Sequence, residues 1–139
     1  MTVKRVPPGE AKRMIEEDGY AYVDVRSIPE FEQGHPEGAY NVPIAHMSGG
    51  GMTPNHDFVK VMEASFPKDA RLIMGCRSGG RSLQAAQVLQ AAGYREVVDQ
   101  RAGYEGPPGE PGWAPLGLPT AREAQPGRAY ADLETKSQA

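Results

Sequence analysis

Arg71-Leu72-Ile73-Met74-Gly75-Cys76-Arg77-Ser78-Gly79-Gly80-Arg81-Ser82 is the stretch whose reading decides the fold. Its first five residues form a short apolar run and read as a buried strand. From about residue 81 to 92 a helix is expected, with Leu83, Ala86, Val88 and Leu89 as core candidates and Gly93 in the stop position. One cysteine, a glycine pair and two arginines occupy the junction between strand and helix.

The same alternation continues on both sides. Tyr20-Ala21-Tyr22-Val23-Asp24-Val25 and Glu96-Val97-Val98 read as further strands. Pro8-Gly9-Glu10 opens a helix that places Ala11, Met14 and Ile15 on one face and stops at Gly19. Residues 28–33 fit one or two helical turns, and Ala39-Tyr40-Asn41-Val42 fits a short strand closed by Pro43. Ser48-Gly49-Gly50-Gly51 reads as flexible loop. Asn55 is expected to cap a helix running to about Ala64, with Phe58, Val61 and Met62 facing inward. Strands that alternate with helices imply parallel pairing, hence an α/β fold with a central parallel sheet flanked by helices.

Past Gly103 the character changes. Five glycines and five prolines fall between Gly103 and Pro119, too many for regular structure, so an irregular surface wrap is expected. Trp113, Leu116 and Leu118 are its candidate anchors. Residues 120–128 read as solvated, Tyr130 and Leu133 as the seat of one last short helix, and residues 135–139 as frayed. The organisation expected is one domain over residues 5–119 and a partly ordered C-terminal extension over residues 120–139.

Composition sets outer bounds. A chain of 139 residues suits one domain, and 39% hydrophobic residues supply a core. The net charge of −3 argues against a general nucleic-acid binder. No apolar run approaches 18 residues, so no membrane contact is expected. The opening MTVKRVPPGE has no apolar signal-peptide core, and a single cysteine forms no internal disulfide. A reducing, cytoplasmic setting is the simplest expectation. Three histidines and one cysteine lack metal-ligand spacing, so no metal is expected. His35 lies in a turn between Gly34 and Pro36 and is assigned no catalytic role.

The junction has a chemical rationale. A helix N-terminus carries unpaired N–H groups and roughly half a positive charge. Gly79-Gly80 lets successive N–H groups turn inward as an anion nest. Sulfur held as an anion is favoured at its centre. Cys76 is therefore the candidate nucleophile, and Arg77, Ser78, Gly79, Gly80, Arg81 and Ser82 are the candidate binding loop. Arg77 and Arg81 suit an oxyanion such as sulfate, thiosulfate or phosphate. Asp24, Arg26 and Arg101 end strands near the same sheet edge and are candidates to support the loop. A structural ion pair is the plainer reading of Asp24 and Arg26, a solvated surface arginine that of Arg101. Glu30 reads as a scaffold carboxylate.

At this loop the sequence resembles the rhodanese (sulfurtransferase) family. Tyr22-Val23-Asp24-Val25-Arg26 is similar to its first motif. Glu30-Phe31, followed by Gly34-His35-Pro36-Glu37-Gly38-Ala39-Tyr40-Asn41-Val42-Pro43, is similar to the next. The Cys76 loop, Gly93-Tyr94, and the closing Trp113, Gly117 and Pro119 follow in order. The resemblance implies a small single-domain rhodanese fold. It implies a loop cysteine that takes a sulfane sulfur from thiosulfate, becomes a persulfide and passes the sulfur to cyanide or a thiol. No metal or organic cofactor is implied.

The alternative is a sulfur-relay protein that takes persulfide sulfur from a protein partner. A phosphatase or arsenate reductase on the same fold is disfavoured, because Arg81 stands five positions after Cys76 and Ser82 holds the sixth. A non-catalytic regulatory module is disfavoured by the intact cysteine. This chain departs from the family at Ala102-Gly103, where two glycines are usual. It departs again at residues 104–112, an insertion before Trp113 that carries Glu105 and Glu110. The insertion is expected to lie as a loop beside the pocket, placing negative charge at its mouth.

Overall fold

The computed structural model describes residues 2–138. In chain order its elements are β1 (Lys4–Val6), α1 (Pro8–Glu17), β2 (Ala21–Asp24), α2 (Ile28–Gln33), β3 (His35–Pro36), β4 (Tyr40–Asn41), β5 (Ala45–Ser48), β6 (Gly51–Pro54), α3 (Phe58–Ser65), β7 (Arg71–Gly75), α4 (Gly80–Ala91), β8 (Glu96–Gln100), β9 (Thr120–Ala121) and α5 (Tyr130–Ser137). Five strands form one sheet in the order β1-β8-β7-β2-β4, and every pairing in it is parallel.

Strand alternation sorts the side chains into two apolar layers. Val23, Leu72, Met74, Cys76 and Val97 join Phe58, Val61, Met62, Ala86, Leu89, Tyr130 and Leu133 in one layer, built with α3, α4 and α5. Tyr22, Ile73 and Val98 join Val6, Met14, Phe31 and Trp113 in the other, built with α1 and α2. Both faces of the sheet are thus covered. That is why its strands read as continuous apolar runs rather than alternating ones. Each fully buried aliphatic or aromatic side chain contributes roughly 1.5–3 kcal/mol.

Strand order locates the crevice. From β2 the chain passes to its neighbour β4 on one side. From β7 it passes to β8 on the other. The carboxyl ends of β2 and β7 are therefore the switch point of the sheet, where open α/β folds bind ligands. The two ends are level, since Asp24 is registered with Gly75 and the Val25 N–H donates to the Gly75 carbonyl at 2.9 Å.

Several expectations are corrected. Lys4–Val6 is a strand that the sequence reading passed over, because only Val6 of the three is buried. Ser48-Gly49-Gly50-Gly51 is the turn of an antiparallel β5–β6 hairpin, with Gly49 and Gly50 at positive φ. Asn55 accepts the Asp57 N–H at 3.0 Å in a turn before α3 and is not its capping residue. Leu116 is 49% exposed and anchors nothing, whereas Trp113 is buried and donates through Nε1 to the Pro119 carbonyl at 2.7 Å. Part of the stretch expected to be solvated forms β9, paired antiparallel with β3. The last helix reaches Ser137, so residues 135–137 are helical; Ala139 lies outside the described residues.

Candidate functional site

Cys76 immediately follows β7, with its side chain on the same face as Leu72 and Met74 and only 3% exposed. The chain then turns through Arg77 and Ser78 to Gly79, whose φ of 109° is left-handed and requires glycine. Gly79 caps the twelve-residue helix α4, and its N–H donates to Cys76 Sγ at 3.1 Å. The sulfur therefore sits at the positive end of α4 and already holds one of its donors. A side chain on Gly79 would strike the Arg101 carbonyl, so backbone from the end of β8 packs against the loop.

Beneath the loop lies a buried polar lock that the sequence reading missed. Gln100 Oε1 accepts the N–H groups of Ala102 and Gly103 at 2.8 and 2.9 Å. Its Nε2 donates to the Gly103 carbonyl and to Tyr22 Oη. The signal was the polar pair Asp99-Gln100 directly after Val97-Val98; the strand continues through both. Asp99 is fully buried and accepts Arg5 Nε at 2.8 Å, and burial raises its carboxyl above the ordinary range against the pull of Arg5. Arg5, on β1, brings its guanidinium close to Gly79.

The remaining loop residues are placed as follows. Ser78 and Gly80 are exposed. Ser82 is buried, and its Oγ donates to the Gly79 carbonyl at 3.3 Å, within the loop rather than outward. Arg81 donates to both oxygens of Glu30, at 2.8 and 3.0 Å. Arg77 meets Glu105 at 2.6 Å. Asp24 and Arg26 form a buried bidentate pair, and Arg26 also donates to the Gly34 carbonyl. The Arg26 guanidinium lies 4.4 Å from the centre of the Tyr104 ring. Arg101 pairs with Glu110 at 2.9 Å. Glu105 and Glu110 therefore do carry charge to this edge, but each is matched to an arginine.

The insertion is strapped to the loop by its backbone. The Tyr104 N–H donates to the Cys76 carbonyl at 2.7 Å, and those of Glu105 and Gly106 donate to the Arg77 carbonyl at 3.0 and 3.1 Å. Arg26, Glu30, Gly34, Arg77, Tyr104 and Glu105 line a cleft of about 840 Å³, with Met47 of β5 on its rim. A more apolar hollow of about 490 Å³ shares α2 as a wall but contains no residue of the Cys76 loop or the strap. Among the described residues no group of acidic, histidine or cysteine side chains could hold a metal ion.

Glu30 ties α2 to this site. It closes the capping box of α2 with Ser27 while gripping Arg81. Burial alone would raise its carboxyl, but the hydrogen bonds from Arg81 and Ser27 outweigh it and hold the group down at about 2. A carboxyl lowered on folding stabilises above its unfolded value near 4.5 and loses that contribution as pH falls toward 2. Glu30→Gln is expected to cost about 1–2 kcal/mol at neutral pH, with the gap to the parent closing between about pH 5 and 2. Urea unfolding at several pH values checks this; a gap independent of pH would mean the carboxylate's charge is irrelevant.

Comparison with known proteins bears on the same region. A family model described as Rhodanese-like domain matches residues 7–106. Thiosulfate sulfurtransferase 16, chloroplastic, of Arabidopsis thaliana is 42% identical over 102 residues, covering 73% of this chain and 80% of that protein. Senescence-associated protein DIN1 of Raphanus sativus is 41% identical over 103 residues, and there the match spans 56% of the relative. Among solved structures, Rv0390 from M. tuberculosis superposes with a TM-score of 0.75 at 27% identity, covering 88% of this chain and 100% of that one. The matched segment holds the strands β2, β4, β7 and β8, the Cys76 loop and α4, and on that match the chain belongs to the rhodanese-like domain family.

Proposed function

We propose that this protein is a sulfurtransferase that carries sulfane sulfur on Cys76 as a persulfide. The observation that supports it most directly is the Gly79 N–H donated to Cys76 Sγ at the head of α4. In the first half-reaction the Cys76 thiolate attacks the outer sulfur of a donor such as thiosulfate. The sulfur–sulfur bond breaks, and its electron pair leaves with sulfite. In the second, cyanide or a thiolate attacks the terminal persulfide sulfur, and the electron pair returns to Cys76. Dividing the transfer in two makes one thiol sufficient. In the persulfide anion the charge moves to the outer sulfur, and the positive end of α4 favours it as it favours the thiolate. Arabidopsis relatives named thiosulfate sulfurtransferase agree with this reading.

A phosphate-cleaving reading fits less well. Arg81 is committed to Glu30 at both terminal nitrogens, which leaves it no fork for a phosphate over Cys76. The deciding experiment is intact-protein mass spectrometry after incubation with thiosulfate. A gain of one sulfur, about 32 Da, that cyanide removes is expected from the persulfide step. No gain from thiosulfate or from any persulfide donor would overturn the sulfurtransferase reading.

A further inference from the structure

Resting on that reading, the geometry points to Glu105 as a specificity-determining residue that turns Cys76 away from small dianionic donors and toward persulfides on neutral or cationic carriers. Five arginines surround the Cys76 loop: Arg5, Arg26, Arg77, Arg81 and Arg101. Each is paired, with Asp99, Asp24, Glu105, Glu30 and Glu110 respectively. The charges cancel one for one. A dianion approaching the cleft therefore meets no uncommitted guanidinium at this edge.

These pairs differ in how readily they open. The pair of Asp24 and Arg26 is buried, and leaving one partner alone there is costly. The pair of Glu30 and Arg81 is bidentate and locked into the α2 cap. Arg77 and Glu105 are both more than half exposed, more than either partner of any other of the five pairs, and meet through a single contact, so theirs is the pair that an anion exchanges most readily. Both also line the cleft.

Exchange is opposed by tethering. Backbone bonds from Tyr104, Glu105 and Gly106 to the carbonyls of Cys76 and Arg77 hold the Glu105 backbone beside Arg77, which keeps its carboxylate within reach of that guanidinium. Gly112 closes the strap from the other side, its N–H donating to the Glu105 carbonyl at 3.1 Å. A carboxylate fixed in this way competes at a high effective concentration against any free anion. Thiosulfate must displace it to use Arg77 and must also approach its negative charge. A persulfide R–S–SH on a neutral or cationic carrier has neither handicap. The Cys76 thiolate attacks its terminal sulfur, the sulfur–sulfur bond breaks and the electron pair leaves with R–S⁻, so Cys76 becomes Cys76–S–SH with no added oxidant.

The test compares the parent with Glu105→Gln, which removes the charge and keeps the backbone bonds. Steady-state transfer to saturating cyanide is measured with thiosulfate and with cysteamine persulfide, a cationic carrier, after subtracting the enzyme-free rate at which cyanide itself strips each donor. Glu105→Gln is expected to raise kcat/KM for thiosulfate roughly fivefold through KM. The value for cysteamine persulfide should stay the same or fall. Glu16→Gln, on the exposed side of α1, controls for net charge and should move neither. Equal kcat/KM for thiosulfate in the parent and Glu105→Gln overturns the inference, as does an equal gain on both donors. Sulfur loading of Cys76 is read separately by mass. If the parent loads sulfur but Glu105→Gln changes no donor ratio, this inference fails alone. If neither protein loads from either donor, the sulfurtransferase reading fails and takes the inference with it.

Discussion

Cys76→Ser is expected to lower sulfur transfer by roughly three orders of magnitude or more, to the background of the assay. Cys76 is the only thiol in the chain, so no neighbour can substitute for it. A serine hydroxyl neither ionises readily nor forms a sulfur–sulfur bond, and the gain of about 32 Da should vanish with it. The fold should survive. Serine is close in size, and its oxygen can still accept the Gly79 N–H that now reaches Sγ. The cost is placing a hydroxyl in a buried apolar layer at a position only 3% exposed, on the order of 1 kcal/mol. Activity and stability therefore separate. The measurements are cyanide-dependent turnover and the unfolding midpoint. A folded Cys76→Ser protein that still transfers sulfur would place the nucleophile elsewhere.

Local and periodic features were legible in the sequence. β7, the Cys76 loop and α4 are covalently consecutive, and each has the residue types its own conformation demands. An apolar run makes the strand, Gly79 takes the left-handed turn, and Gly93, at φ 105°, lies just past the end of the helix. What escaped depends on distant partners. The helix α4 shows the difference: Leu83 and Val88 are apolar but half-exposed, while Ser82 and Ala85 are buried where α4 packs on the sheet strands β7 and β8. Hairpin residues Gly51–Pro54 are all exposed, so they carry no inward-outward alternation to read. The arginines were visible, but their partners were not. Arg81 and Glu30 are separated by 51 positions, and only the docking of α2 beside the loop brings them together. The sequence shows Arg77 and Arg81 as residues suited to an oxyanion, but not the carboxylates that the fold places beside them.

Gly103→Ala is expected to destabilise the protein by roughly 2–5 kcal/mol, combining a left-handed residue with a backbone collision. Gly103 has φ 72°, and a Cβ there would come within 2.5 Å of the Arg77 carbonyl group and 2.6 Å of the Cys76 oxygen. Those are backbone atoms of the reacting loop and cannot swing aside as a side chain would. The same residue accepts Gln100 Nε2 and the Trp113 N–H through its carbonyl, so its shift would disturb the lock and the strap together. Against a typical stability of about 5–15 kcal/mol, the variant stays folded unless the parent lies at the lower end. Where it folds, Cys76 should be displaced, and a displacement of about 1 Å is enough to cut turnover roughly a hundredfold. Gly109→Ala supplies the contrast. It lies in the same strap at φ 88°, but a Cβ there would meet nothing within 4 Å. Its cost should be the conformational one alone, about 1 kcal/mol, with turnover nearly intact. Unfolding midpoints and turnover of the two variants, measured side by side, separate close approach from glycine conformation. Equal losses in both would show that the strap does not bear on the Cys76 loop through Gly103.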